Sequence, residues 1–245
     1  MVEPLFRFDS QAKVGQTVLL DGAEGHHAAA VRRIRAGEAV QLTNGETTHW
    51  RGVVSSVTNK YVEILISEEN TIESPKQEFV LVQSLAKGDR DELAVQAATE
   101  IGVSRVVPWQ ADRSVSKWDQ AKAAKGQARW QTICDEASKQ SLRARFVRVA
   151  ERQTSNQICD LIAANDGLWL ILDPTADMPI TRADLSNAQS VYLVVGPEGG
   201  ITDQELKDFA NAGAKRVHLG SGIMRTSTAG VAALSYLSGA TGLWG

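Results

Sequence analysis

Val191-Tyr-Leu-Val-Val-Gly-Pro-Glu-Gly-Gly-Ile-Thr-Asp-Gln-Glu205 contains a strand, a turn and a helix start in succession. Five apolar residues in a row predict a strand buried on both faces, the pattern of a parallel sheet covered by helices. Thr202 followed three residues later by Glu205 is a capping box, so a helix should open there and run to Ala212. Glycines between strand and helix let the backbone take positive φ and come close to another group, and Pro197 stiffens the turn. The loop lacks the Lys-Ser/Thr of a phosphate-cradling loop and does not match the spacing GxGxxG. It places an acid, Glu198, where a triphosphate would want cations. The residues fit either a tight structural turn or a loop that reads a weakly anionic ligand through backbone groups.

The same grammar recurs at His218-Leu-Gly-Ser-Gly-Ile-Met-Arg-Thr-Ser-Thr-Ala229. A short strand leads into two glycines, then into a helix start rich in hydroxyls that can cap open N–H groups. Arg225 stands at the positive end of that helix, an unfavourable place for a cation. It calls for an anionic neighbour, either a carboxylate of the chain or a phosphate.

Around these loops the chain alternates strands and helices. Strands are predicted at 79–83, 105–108, 146–149, 168–172, 191–195 and 216–219. Helices are predicted at 89–102, 118–142, 155–164, 202–212 and 227–237. This is a mostly parallel α/β domain, whose ligands bind at the carboxyl ends of the strands. Residues 1–72 read differently. Short strand-like runs at 17–20, 39–43, 50–55 and 61–66 are separated by Asp21-Gly22, Asn44-Gly45 and Asn59-Lys60. A short helix is expected at 25–32, and a small closed barrel is the natural arrangement. The polar stretch 68–76, with Pro75, reads as the linker.

With 43% hydrophobic residues, the 245-residue chain can bury a real core. It contains no apolar run long enough for a membrane span and no secretory signal at its start. Two cysteines, Cys134 and Cys159, make no disulfide framework. The four histidines, His26, His27, His49 and His218, have no metal-site spacing. A cytoplasmic protein without membrane or metal is expected. The net charge is −3, yet residues 113–152 carry ten Lys/Arg against four Asp/Glu, and Arg32, Arg33 and Arg35 form a second cluster. Such islands are either solvated faces or phosphate-binding surfaces.

The pair Leu193-Val-Val-Gly-Pro-Glu-Gly-Gly200 and Leu219-Gly-Ser-Gly-Ile-Met-Arg-Thr-Ser-Thr-Ala229 resembles the signature of SPOUT methyltransferases. The chain is most similar to the RsmE family, which methylates N3 of uridine 1498 in 16S ribosomal RNA. Further blocks carry this resemblance: Gln83-Ser-Leu-Ala-Lys-Gly-Asp89, Thr99-Glu-Ile-Gly-Val103, Arg113-Ser-Val115, Trp130, Glu136-Ala-Ser-Lys-Gln-Ser-Leu-Arg143, and His26-His27 through Gly37. Ser227 stands where the family often has Glu, Phe146-Val147 where a Pro is usual, and Arg32 in place of a Leu.

The resemblance implies a PUA-like β-barrel that binds RNA (1–72) and a trefoil-knotted parallel-sheet domain of SPOUT type (76–245). It implies a homodimer acting on 16S rRNA in the small ribosomal subunit, with S-adenosyl-L-methionine (SAM) as cofactor. The cofactor would be held by Leu172, Gly196, Pro197, Gly200, Leu219, Gly220, Ile223, Met224, Arg225 and Thr228. Arg225 would stabilise charge on the uracil, and Glu198 or Glu136 would be the base. RNA contacts would come from Arg32, Arg33, Lys87, Arg113, Arg129, Lys139 and Arg143, and Trp130 would either stack on a base or anchor its helix in the core. The alternatives are a non-catalytic RNA-binding protein and a SPOUT enzyme for another RNA position.

Overall fold

A computed structural model describes residues 2–244; Met1 and Gly245, the outer ends of the two expected domains, lie outside the described residues. The chain forms two compact units. One comprises residues 2–74 with 138–146, the other residues 75–137 with 147–244.

In the first unit β1 (Leu5–Arg7), β2 (Thr17–Leu20), β3 (Ala39–Thr43), β4 (Thr48–Val57) and β5 (Val62–Thr71) form one sheet in the order β1-β3-β4-β5-β2. The barrel expected from the sequence takes the form of a half-barrel, with β1 and β2 at the edges of the hydrogen-bonded order. β1 runs parallel to β3. Register shifts at Arg51/Gly52 and Val54/Ser56 bend β4 against β5. A Cβ on Gly52 would lie 2.5 Å from Ile64 Cγ2, so only glycine fits at the bend. Alternate residues of β4 and β5 point inward, and Trp50, Leu42, Ile64 and Ile66 are buried in the core they make.

The expected linker at 68–76 is a correction. Glu68, Glu69 and Asn70 belong to β5 and pair with Arg51, Trp50 and His49. Polar side chains on both faces hid this strand, which is held by its backbone pairing with β4 and by the Arg51–Glu68 ion pair at 3.3 Å. The helix expected at 25–32 is α1 (Gly22–His26), continued by a π-helical turn at His27–Val31. Residues 138–146 complete this unit. The Thr43 hydroxyl donates to the Ala144 carbonyl at 2.6 Å, and the Phe146 N–H donates to Gly45 O at 2.8 Å. Phe146 is therefore buried here; the strand expected at 146–149 shrinks to β8 (Arg148–Val149) in the other unit.

The second unit has a sheet of seven parallel strands. They are β6 (Glu78–Ser84), β7 (Arg105–Gln110), β8, β9 (Gln153–Thr154), β10 (Leu168–Leu172), β11 (Ser190–Val195) and β12 (Lys215–Val217). The order is β12-β10-β11-β6-β7-β8, with β9 beside β7. Between and after the strands run α2 (Arg90–Ile101), α3 (Gln120–Gln140), α4 (Ser155–Ala163), α5 (Asp203–Ala212) and α6 (Thr226–Ala240). Both faces are covered, as continuous apolar strands require. Phe79, Leu81 and Leu193 pack with α2, α3 and α6; Val80, Val82 and Val194 pack with α4 and α5. The box at Thr202 forms with both bonds present, and Gly213 ends α5 with φ +117°.

Trp130 requires a second correction. It is 1% exposed and meets Trp118 edge to face at 5.2 Å. Gly126 makes room for that pair, since a Cβ there would lie 2.5 Å from Trp118. A side chain so enclosed has no face to offer a nucleobase; it anchors α3 to the sheet.

Candidate active site

The strand register places three carboxyl ends at one level: Leu172 of β10 faces Val195 of β11 on one side and Val217 of β12 on the other. The chain leaves β11 and β12 through the two glycine-rich loops. Together they wall a cavity of about 550 Å³, within the range of small-molecule sites, roughly 300–1,000 Å³. Leu172, Gly196, Pro197, Gly200, Leu219, Gly220, Ile223, Met224 and Arg225 all line it, so nine of the expected cofactor residues converge. Thr228 does not line it: it is exposed in the first turn of α6, and Thr226 is the hydroxyl residue that reaches the cavity. The helix geometry explains this correction, because two residues along a helix turn a side chain by more than half a revolution.

Each loop is shaped by local chemistry. A Cβ on Gly196 would lie 2.6 Å from Ile201 Cγ1. Gly220, at φ +128°, donates its N–H to His218 Nδ1 at 3.1 Å, which makes this histidine a turn-former. The expected strand at 216–219 consequently ends at Val217.

The walls carry both signs of charge. Asp173, which follows β10, accepts from the Thr175 N–H and hydroxyl and from Arg216 Nε at 2.6 Å. Burial works to raise its proton affinity, but those donors outweigh it and hold the carboxyl below the ordinary aspartate value. Glu198 accepts from the Lys87 N–H at 3.2 Å and from Arg90 Nη1 at 3.0 Å. Burial again opposes ionisation; its own backbone N–H, that of Lys87 and the Arg90 guanidinium prevail, so its pKa is lowered. Arg225 precedes α6 without capping it, and its exposed guanidinium has no hydrogen-bond or ion-pair partner among the described residues.

The other expected residues are dispersed. Lys87 and Arg113 flank the first loop, Arg113 Nη1 donating to Gly199 O at 3.1 Å. Arg129 is exposed and forked onto Glu92, and Glu136 is exposed on α3, outside the cavity walls. Arg32 and Arg33 lie exposed in the first unit, on the turn after the π-helical segment, Arg33 at φ +54°. Arg143 is half-buried in that unit. Lys139 is a correction: its side chain is 10% exposed and its Nζ pairs with Glu24 at 2.7 Å, so its charge is already matched within the first unit. Asp173, Arg90 and Thr226 line the cavity unforeseen. Position at a strand end could have found Asp173; Arg90 and Thr226 carry no comparable local signal.

The parallel sheet with its glycine-walled cavity, and the small β unit, match an RNA methyltransferase and its accessory domain. Residues 73–238 match the RNA methyltransferase domain model and residues 20–67 the RNA methyltransferase PUA domain model. The chain belongs to the ribosomal RNA small subunit methyltransferase E family. It is 36% identical to the Mycobacterium bovis member, over all of this chain and 94% of that one. It is 31% identical to the Bacillus subtilis member, over 93% and 92%. The Neisseria gonorrhoeae member, solved bound to S-adenosyl methionine, superposes with TM-score 0.87 at 28% identity, over 98% of both chains. A Legionella pneumophila protein solved with the bound cofactor SAM gives 0.88 at 27%, over 98% of both.

Proposed function

We propose that this protein transfers the methyl group of SAM to N3 of uridine 1498 in 16S rRNA. The observation that carries the proposal is the convergence of both glycine-rich loops on one cavity at the ends of β10, β11 and β12. The cavity suits the cofactor chemically. Leu172, Val195, Val217 and Leu219 offer apolar walls for an adenine, and the glycines leave peptide groups open to it. Asp173 and Glu198, each paired with an arginine, keep the walls from presenting a strong positive field to a cationic sulfonium and amine. SAM, when bound, supplies an electrophilic methyl for in-line displacement.

The chain's own residues then hold and polarise the uracil. The reacting atoms must be kept aligned at roughly 3–3.5 Å, and N3 must lose its proton. Glu198 is an ion-paired carboxylate of lowered pKa, which makes it a weak base. We therefore assign it to holding Arg90 and the Lys87 loop. Arg225, with its guanidinium unmatched among the described residues, stabilises the uridinate oxygens as the N3 proton passes to solvent water. N3 lies on the pairing edge, so the base must be unpaired or flipped to react.

In this reading residues 1–72 are the RNA-binding domain, using Arg32 and Arg33, and residues 76–245 are the methyltransferase domain, using Lys87, Arg113 and Arg129 toward phosphates. The protein is cytoplasmic, where its ribosomal substrate is found. The strand order, with β10 between β11 and β12, supports a trefoil-knotted path. A homodimer is supported by large apolar side chains left exposed on the second unit, Leu93 at 58% and Trp244 at 59% among them. Light scattering is expected to give twice the 26.5 kDa chain mass; a monomer at micromolar concentration would reject the dimer. Primer extension tests the site itself, because N3 methylation blocks pairing and stops reverse transcriptase. Deleting the gene should abolish the stop at position 1498, and a stop that persists would reject the assignment.

A further inference from the structure

The two cofactor loops are joined by a buried hydrogen-bond chain. Gln83, the last residue but one of β6, is in register with Val195, after which the first loop begins. Its Nε2 donates to Thr226 Oγ1 at 2.9 Å, and the Thr226 hydroxyl donates onward to Gly196 O at 2.8 Å. Gln83 is fully buried and Thr226 is 6% exposed, so water does not compete for these bonds. Gly196 is the first residue of one loop and Thr226 follows the last residue of the other. One threonine hydroxyl therefore ties both loops to the sheet.

The arrangement is a poor one for stability alone. Gln83 Oε1 is buried without a partner among the described residues, and an unmatched acceptor in the interior is destabilising. A leucine would fill the space without that penalty. Pro197 has no N–H, so the peptide after Gly196 can be oriented only through its carbonyl, and Thr226 holds that carbonyl.

We propose that Gln83 and Thr226 are positioning residues for the methyl donor: they lock the two loops in the cofactor-binding arrangement without touching the reacting atoms. The inference rests on the SAM-dependent reading above. Its test is calorimetric titration with SAM, alongside thermal unfolding, of wild type, Gln83→Leu, Thr226→Val and Thr226→Ser. Gln83→Leu should keep or raise the Tm while weakening SAM about tenfold, equivalent to about 1.4 kcal/mol. Thr226→Val should weaken SAM at least as much. Thr226→Ser, which keeps the hydroxyl, should bind within about twofold of wild type. Should Thr226→Val fail to fold, Gln83→Leu and Thr226→Ser decide the question. Wild-type affinity in Gln83→Leu, or a Thr226→Ser protein as weak as Gln83→Leu, would overturn the positioning role while leaving the proposed function intact. A wild-type protein that binds no SAM at millimolar concentration would remove the function itself, and this inference with it.

Discussion

Arg225→Ala is expected to lower kcat on the small-subunit substrate by on the order of 10²–10³-fold, the usual loss when one donor to a developing oxyanion is removed. The SAM Kd should change only a few-fold. The reason lies in the site. Arg225 is exposed at the mouth of the cavity, at the positive end of α6, and no carboxylate among the described residues neutralises it. A cation kept there against the helix field has its partner in the substrate. The substitution touches no core residue, so the Tm should stay within about 2 °C, a shift worth under about 1 kcal/mol for a chain of this size. Arg225→Lys should recover part of the rate, since the charge returns without the planar fork. A wild-type kcat in the alanine variant would remove Arg225 from the mechanism.

Glu205→Ala should be the most destabilising single change near the site. The carboxylate is 3% exposed and saturated. One oxygen accepts the Thr202 N–H and hydroxyl, and the other accepts the Asp112 N–H at 2.9 Å and the Ser155 hydroxyl at 2.7 Å. It thus joins the start of α5, the loop after β7 and the start of α4. Removing it strands four donors, two of them backbone. Hydrogen bonds to a charged acceptor are worth about 1.5–3 kcal/mol each, and such losses are not additive. A total of about 3–5 kcal/mol is expected, less than the sum of four such bonds because water entering the gap can meet some of the stranded donors. That corresponds to a fall in Tm of roughly 6–20 °C. Glu205→Gln keeps one acceptor oxygen and should lose about half as much. A Tm within 2 °C of wild type for Glu205→Ala would contradict this account.

The elements of the second unit were legible because each is written locally. Leu168–Leu172 is apolar throughout and Ser190–Val195 is so after its first residue, and Thr202 and Glu205 mark a helix start with two side chains. The cavity followed from a rule about strand ends: of the nine expected residues that line it, eight lie in the two loops that follow β11 and β12, and Leu172 ends β10. What stayed hidden is held by partners distant in sequence. β1 is three residues long and exists because it pairs with β3. The end of β5 is polar on every side and is fixed by the start of β4. The place of residues 138–146 depends on Gly45, whose missing side chain admits Phe146; a Cβ there would approach its ring at 3.3 Å. Charge counting found Lys139 but could not see Glu24 beside it. Trp130 carried a correct block resemblance and an incorrect role, since aromaticity alone does not tell a stacking platform from a core anchor; burial does.

The strand order has a consequence for how the protein is made. β6 pairs with β7 on one side and with β11 on the other, matching Glu78 to Ser190. At about 5–20 residues per second, the ribosome needs roughly 5–20 s to synthesise the chain between those partners. Throughout that interval an apolar strand edge waits open, the kind of surface that nascent chains aggregate through. The donor pocket cannot begin to form before Thr226 has left the exit tunnel. A product truncated between β7 and β11 therefore carries the sticky half of this sheet without its ligand-stabilised half, and termination in that interval should yield insoluble, inactive fragments.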